Sequence, residues 1–163
     1  MSCRPARPLP QHLQDFVQSA EKGVVYVSFG SILQASKMPE HKRLLMLRVF
    51  SRLEQKVIWK WEKEMPDAPH NVMISPWLPQ TSLLAHHNVK AFVSHGGAGS
   101  FQETICHQTP IIGVPFSGDQ IVNVKEAVNR NIGLSVPWFE MEEEEFEKAI
   151  KEVADDKIVI ARL

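Results

Sequence analysis

Short runs rich in β-branched and aromatic residues recur along this chain at positions 24–29, 56–61, 72–75, 89–94, 110–114 and 134–136, and several of the intervals between them carry a helical apolar pattern. Strands alternating with helices predict an α/β fold built on a Rossmann-like, doubly wound parallel sheet. The first run, Val24-Val25-Tyr26-Val27-Ser28-Phe29, is apolar almost without a break, as in a strand covered on both faces, and it ends abruptly at Gly30-Ser31.

The helical stripes support the same reading. Pro39 is placed for a first helical position, and Met46, Phe50 and Leu53 then recur at i, i+4, i+7 with Leu45 and Val49 alongside. Ile121, Val124 and Val128 line a later helix for which Gly133 can serve as C-cap, and Phe146, Ile150 and Val153 line the last one. The acidic run 142–145 suits the solvated first turn of that last helix, where carboxylates meet the positive end of the dipole.

With 163 residues, 44% of them hydrophobic, the chain has the size of one domain with a real core. The Pro-rich stretch 4–10 reads as a linker, so residues 1–22 are assigned to a linker-like segment with a short helix around 12–19, and residues 23–163 to the nucleotide-binding domain argued below. A formal net charge of -1 offers no field for nucleic acid. Cys3 and Cys106 are two, distant and in no CxxC spacing, and are expected to be free thiols. No window approaches 18 uninterrupted apolar residues, so the chain is expected to be soluble and to make no membrane contact.

In open parallel sheets, ligands bind beyond the carboxyl ends of the strands, where strand order reverses. The polar segments follow the expected strands: Gly30-Ser31 the first, Trp77-Leu78-Pro79-Gln80 the third, His95-Gly96-Gly97-Ala98-Gly99-Ser100 the fourth, and Asp119-Gln120 the fifth. An aromatic platform, a glycine turn leading into a helix, a lone carboxylate at Glu103 and a closing polar pair are what uracil, diphosphate, ribose and hexose would each require. The glycine turn is neither GxGxxG nor a P-loop with its Lys.

Each residue also has a structural reading. Ser100-Phe101-Gln102-Glu103 matches a capping box, in which Glu103 returns to the N-cap amide of a helix starting near Ser100; ribose binding is the other use of such an acid. Trp77 is either a core tryptophan or a stacking platform, His95 a phosphate donor or a satisfied core histidine, and Asp119-Gln120 a sugar contact or a helix cap. The glycines of the turn either approach an anion or provide positive φ. A metal site at His95 with His86, His87 or His107 lacks a completing carboxylate or Cys, so no metal is expected.

Together these residues resemble the UDP-glycosyltransferase signature: Trp-Leu-Pro-Gln, a strand ending in Ser/Thr-His-x-Gly, then Glu, then Pro and a terminal Asp-Gln. The similarity runs from Cys-Arg-Pro-Ala-Arg-Pro-Leu-Pro at 3–10 to the last helix and is to the animal glucosyl- and glucuronosyltransferase type. The resemblance implies the C-terminal, donor-binding half of a GT-B enzyme that moves a hexose from a UDP-sugar to a small lipophilic acceptor with inversion. It implies that Trp77 stacks on uracil, that Gln80 contacts the base edge and that Glu103 binds the ribose hydroxyls. His95, Gly97, Gly99 and Ser100 then hold the diphosphate with Ser31 nearby, and Asp119 and Gln120 face the sugar.

The same resemblance implies no cofactor beyond the donor substrate and no catalytic residue in this chain. The base, a His oriented by an Asp, belongs to an N-terminal acceptor-binding domain of the same parent, which the family places at the endoplasmic reticulum membrane with this domain lumenal and which can oligomerise. Two departures stand out: Gly99 replaces a common Asn, and His107-Gln108-Thr109-Pro110 replaces His-Gly-x-Pro. A donor-binding subunit of a split transferase and a non-catalytic nucleotide-binding module are the alternatives.

Overall fold

A computed structural model describes residues 3–155. Its six strands form one parallel sheet: β1 (Val24–Ser28), β2 (Lys56–Lys60), β3 (Val72–Ser75), β4 (Val89–Ser94), β5 (Ile111–Gly113) and β6 (Gly133–Ser135). Their order is β3-β2-β1-β4-β5-β6, so the chain winds outward from β1 in one direction and then restarts at β4 in the other. The expected Rossmann-like α/β fold is what forms. The reversal falls between β1 and β4, whose last residues, Ser28 and Ser94, lie side by side in register.

The helices are α1 (Gln11–Gln18), α2 (Glu40–Ser51), α3 (Gln80–Leu84), α4 (Ala98–His107), α5 (Asp119–Asn129) and α6 (Glu143–Ala154), with a short 3-10 helix at Ala35–Lys37. Strand residues alternate between two faces. Val25, Val27, Val57, Trp59, Val93 and Ile112 meet α2 and α6, which contribute Met46, Phe50, Phe146 and Ile150. Val24, Tyr26, Ile58 and Phe92 meet Leu13 and Val17 of α1 and Leu83 and Leu84 of α3 on the other face. Every residue of β1 is buried, as its unbroken apolarity requires.

The acidic run falls where expected, with Glu143, Glu144 and Glu145 in the first turn of α6. Glu143 also pairs with Arg48 and Arg52 of α2. Pro39 is the N-cap of α2 rather than its first residue.

Three further expectations are corrected. On α5 the inward residues are Val124 and Ala127, while both Ile121 and Val128 of the expected stripe are exposed, because the helix turns its i, i+3 edge to the sheet. Gly133 opens β6 instead of capping α5; a Cβ there would lie 2.2 Å from the backbone oxygen of Ile111. Asn131 adopts the left-handed conformation between the two elements.

The third correction concerns the cysteines, which are joined: Cys3 and Cys106 form a disulfide with Cα atoms 5.6 Å apart. Sequence spacing cannot detect a bond between residues that only the fold brings together. The Arg7 N–H donates to Ser82 Oγ of α3 at 3.0 Å, so the N-terminal segment spans both α3 and α4. Among the described residues no helix is long and apolar enough to cross a membrane.

Candidate functional site

The two central strands end alike. The Ser28 hydroxyl accepts from the Gly30 N–H at 3.3 Å, and the Ser94 hydroxyl accepts from the Gly96 N–H at 3.2 Å. Each serine turns the chain sharply outward at the sheet edge, and Gly30 (φ +87°) and Gly96 (φ +82°) take up conformations that side chains resist.

The His95 imidazole lies between two glycines. A Cβ on Gly30 would fall 2.9 Å from His95 Cε1, and one on Gly97 2.5 Å from Nε2, so both positions exclude side chains because the ring occupies that space. The His95 ring is partly buried, and burial holds it below the usual histidine value against an opposing pull from Asp119. Its Nδ1 is buried without a hydrogen-bond partner among the described residues.

Beyond Gly97, the N-cap of α4, the first intrahelical bond runs from the Phe101 N–H to the Gly97 carbonyl. The amides of Ala98, Gly99 and Ser100 thus precede the hydrogen-bonded ladder, at the positive end of the helix and next to His95. A Cβ on Gly99 would meet nothing within 4 Å. The turn is held from α5 as well, where Asn123 Nδ2 donates to the Gly96 carbonyl at 2.9 Å.

Glu103 does not close a capping box. Ser100 stands inside the first turn of α4 rather than at its cap, and Glu103 faces α3 instead. Gln80 Nε2 donates to Glu103 Oε2 at 2.6 Å, Thr81 Oγ1 donates to Oε1 at 2.6 Å, and Gln80 Nε2 also reaches Ser100 Oγ at 3.3 Å. Behind Gln80, the Tyr26 hydroxyl of β1 donates to its Oε1 at 3.1 Å. Burial pushes the Tyr26 phenol well above its ordinary value, so it stays a neutral donor.

The Trp77-Leu78-Pro79-Gln80 segment divides its side chains. Leu78 and Gln80 turn inward, Pro79 caps α3, and Trp77 is 69% exposed. Trp77 is not a core tryptophan. Asp119 is exposed in the first turn of α5 and makes no capping bond, while Gln120 Oε1 accepts from the Phe116 N–H at 2.9 Å and fastens the turn before that helix. Ser31 is exposed just past Gly30.

Ser31, Trp77, Gln80, His95, Gly97, Gly99, Ser100, Glu103, Asp119 and Gln120 therefore all lie beyond the carboxyl ends of β1, β3, β4 and β5. Sequence reasoning missed Tyr26, Thr81 and Asn123. Tyr26 alone had a signal, as the one hydroxyl-bearing ring in an apolar strand. Among the described residues no three His, Cys, Asp or Glu side chains gather as metal ligands.

A Rossmann-like sheet with a glycine turn, a partly buried His and an oriented carboxylate at its switch point places the candidate site where doubly wound α/β domains bind their ligands. The family model described as UDP-glucoronosyl and UDP-glucosyl transferase matches residues 1–161, and the chain belongs to that family. It is 39% identical over 158 residues to UDP-glucuronosyltransferase 2B14 of Oryctolagus cuniculus, which covers 96% of this chain and 29% of the relative. To UDP-glycosyltransferase UGT5 of Dactylopius coccus it is 44% identical over 118 residues, 72% of this chain and 22% of the relative.

The chain thus spans under a third of these relatives. Among solved structures, Os79 from O. sativa in complex with UDP superposes with a TM-score of 0.78 at 22% identity, covering 96% of this chain and 38% of that one. The fold is shared with this and other GT-B glycosyltransferases.

Proposed function

We propose that this chain is the donor-binding half of a UDP-glycosyltransferase that passes a hexose, glucose or glucuronate, to a small lipophilic acceptor with inversion. The observation that carries the reading is the juxtaposition of two sites on one sheet edge: the Gln80–Glu103 constellation, and the His95 turn with the free amides of α4. A ribose and a diphosphate are adjacent in a nucleotide sugar, and the two sites suit them in that order.

In this reading Trp77 stacks on uracil and Gln80 borders the base edge. The Glu103 carboxylate, oriented by Gln80 and Thr81, still has lone pairs for the vicinal ribose hydroxyls. His95, the α4 amides and Ser31 hold the diphosphate, while Asp119 and Gln120 face the hexose. When the acceptor oxygen attacks the anomeric carbon and the bond to the β-phosphate oxygen breaks, negative charge grows on UDP. The positive end of α4 and the His95 ring stabilise that charge.

The acceptor pocket and the base that deprotonates the acceptor belong to the N-terminal domain of the parent. The isolated chain therefore binds donor and transfers nothing. The parent sits at the endoplasmic reticulum membrane with this domain lumenal, a setting that suits the Cys3–Cys106 disulfide because such compartments keep thiols oxidised.

Calorimetric titration with UDP, UDP-glucose and UDP-glucuronate tests the reading. Binding of UDP and of at least one sugar nucleotide is expected; absence of all three overturns it. Robust turnover of a lipophilic acceptor by the isolated chain would overturn the claim of inactivity alone.

A further inference from the structure

We infer that Glu62 is a positioning residue for the donor site, holding the loop of residues 31–37 so that Ser31 keeps its place just after Gly30, the residue that packs against His95. The inference rests on the nucleotide-sugar reading above. Glu62 lies two residues beyond β2, the sheet neighbour of β1. Its carboxylate accepts from the Ala35 N–H at 3.3 Å and the Ser36 N–H at 2.9 Å, amides that open the 3-10 helix Ala35–Lys37. Lys60, the last residue of β2, donates Nζ to the Gly30 carbonyl at 2.8 Å.

Both ends of the loop are thereby tied to the end of β2 and the residues just after it. The stretch between the ties has little packing of its own: residues 31–34 are exposed, and Ile32 reaches 93%. Apolar burial anchors the loop only at Ala35. With so little packing, the charge-assisted bonds to Glu62 and Lys60 decide where residues 31–34 sit. The place matters because the loop leaves β1 at Gly30, against the His95 ring. Glu62 itself stands back from the ligand. Its oxygens are engaged by amides, so it acts through the loop and not on the nucleotide.

This role separates UDP from uridine. A loop that serves the diphosphate should be silent toward a nucleoside that lacks one. Calorimetry on the whole chain with Glu62→Ala and Glu62→Gln, titrated with UDP and with uridine, reads the difference. UDP affinity is expected to fall about tenfold in Glu62→Ala, and less in Glu62→Gln, while uridine affinity changes less than about twofold. Lys60→Met cuts the other tie and gives the same split if Glu62→Ala does not fold.

Equal weakening of UDP and uridine, or no weakening of either, overturns the positioning role. If the unaltered chain binds neither ligand, the nucleotide reading fails and this inference falls with it. If it binds both and the variants do not separate them, only the inference falls.

Discussion

Gln80 and Glu103 meet across the gap between α3 and α4, with Gln80 Nε2 donating to Glu103 Oε2 at 2.6 Å. Thr81 holds the other carboxylate oxygen at the same distance, so the acid is fixed from both sides before any ligand arrives. Loss of Glu103 should therefore be read in binding rather than in helix capping. Glu103→Gln is expected to weaken UDP by tenfold or more, as charge-assisted bonds to the ribose would, each worth about 1.5–3 kcal/mol. Titration of UDP, with thermal unfolding alongside, checks it; a large fall in melting temperature with unchanged affinity would reverse the assignment.

Trp77 offers the complementary case. Its indole is exposed, so Trp77→Ala should change stability by no more than about 0.5 kcal/mol. Loss of base stacking should weaken UDP and both sugar nucleotides alike, by about 1–3 kcal/mol. Unchanged affinity in calorimetry removes the stacking role.

The Cys3–Cys106 bond closes a sequence separation of 103 residues. Loops of that length carry the largest entropic gain from a cross-link, and Cys3→Ser is expected to lower stability by about 2–4 kcal/mol. Urea unfolding with and without reductant measures it. A chain whose midpoint is indifferent to reductant does not depend on this bond.

Gln108 ends α4 in the left-handed conformation, at φ 55° and ψ 35°. A glutamine there bears a Cβ strain that a glycine would avoid. Gln108→Gly should stabilise the chain by about 1 kcal/mol, read as a rise in the denaturant midpoint. A fall would mean that the Gln108 side chain contributes more than its backbone strains.

His95 sets a pH dependence. Burial keeps its folded-state value below the ordinary 6.5, so as pH falls through about 6.5 the unfolded chain takes up the proton first. The resulting loss of stability is absent above that range and grows toward the folded-state value. His86 adds a contribution of the same sign, from burial and then from His87. The drop in melting temperature between about pH 8 and pH 5.5 should shrink in His95→Gln, and an equal drop would show that His95 does not contribute.

How much was legible follows from which interactions are local. The strands, the stripes on α2 and α6 and the edge on which the polar residues gather could all be read from periodicity, since a strand or helix exposes its pattern within a few residues. The α5 face and the role of Gly133 could not. Ile121 and Val124 are equally apolar to the reader, and only the packing of Val124 against Gly96 and Gly113 decides which one is buried. The close approach of Gly133 to the Ile111 oxygen belongs to strand pairing, not to any helix end.

The sequence by itself determined that this is a doubly wound α/β domain whose polar turns, from Gly30-Ser31 to Asp119-Gln120, follow its strands, because hydrophobic period and turn chemistry are written locally. Only the tertiary structure decided what those residues do to one another. It gave Glu103 to Gln80 and Thr81 instead of its own helix cap, placed His95 between Gly30 and Gly97, joined Cys3 to Cys106, and tied the Ser31 loop to Glu62. Each of these is a meeting of side chains or backbone from separate segments, and no local pattern specifies which distant partner a polar group will find.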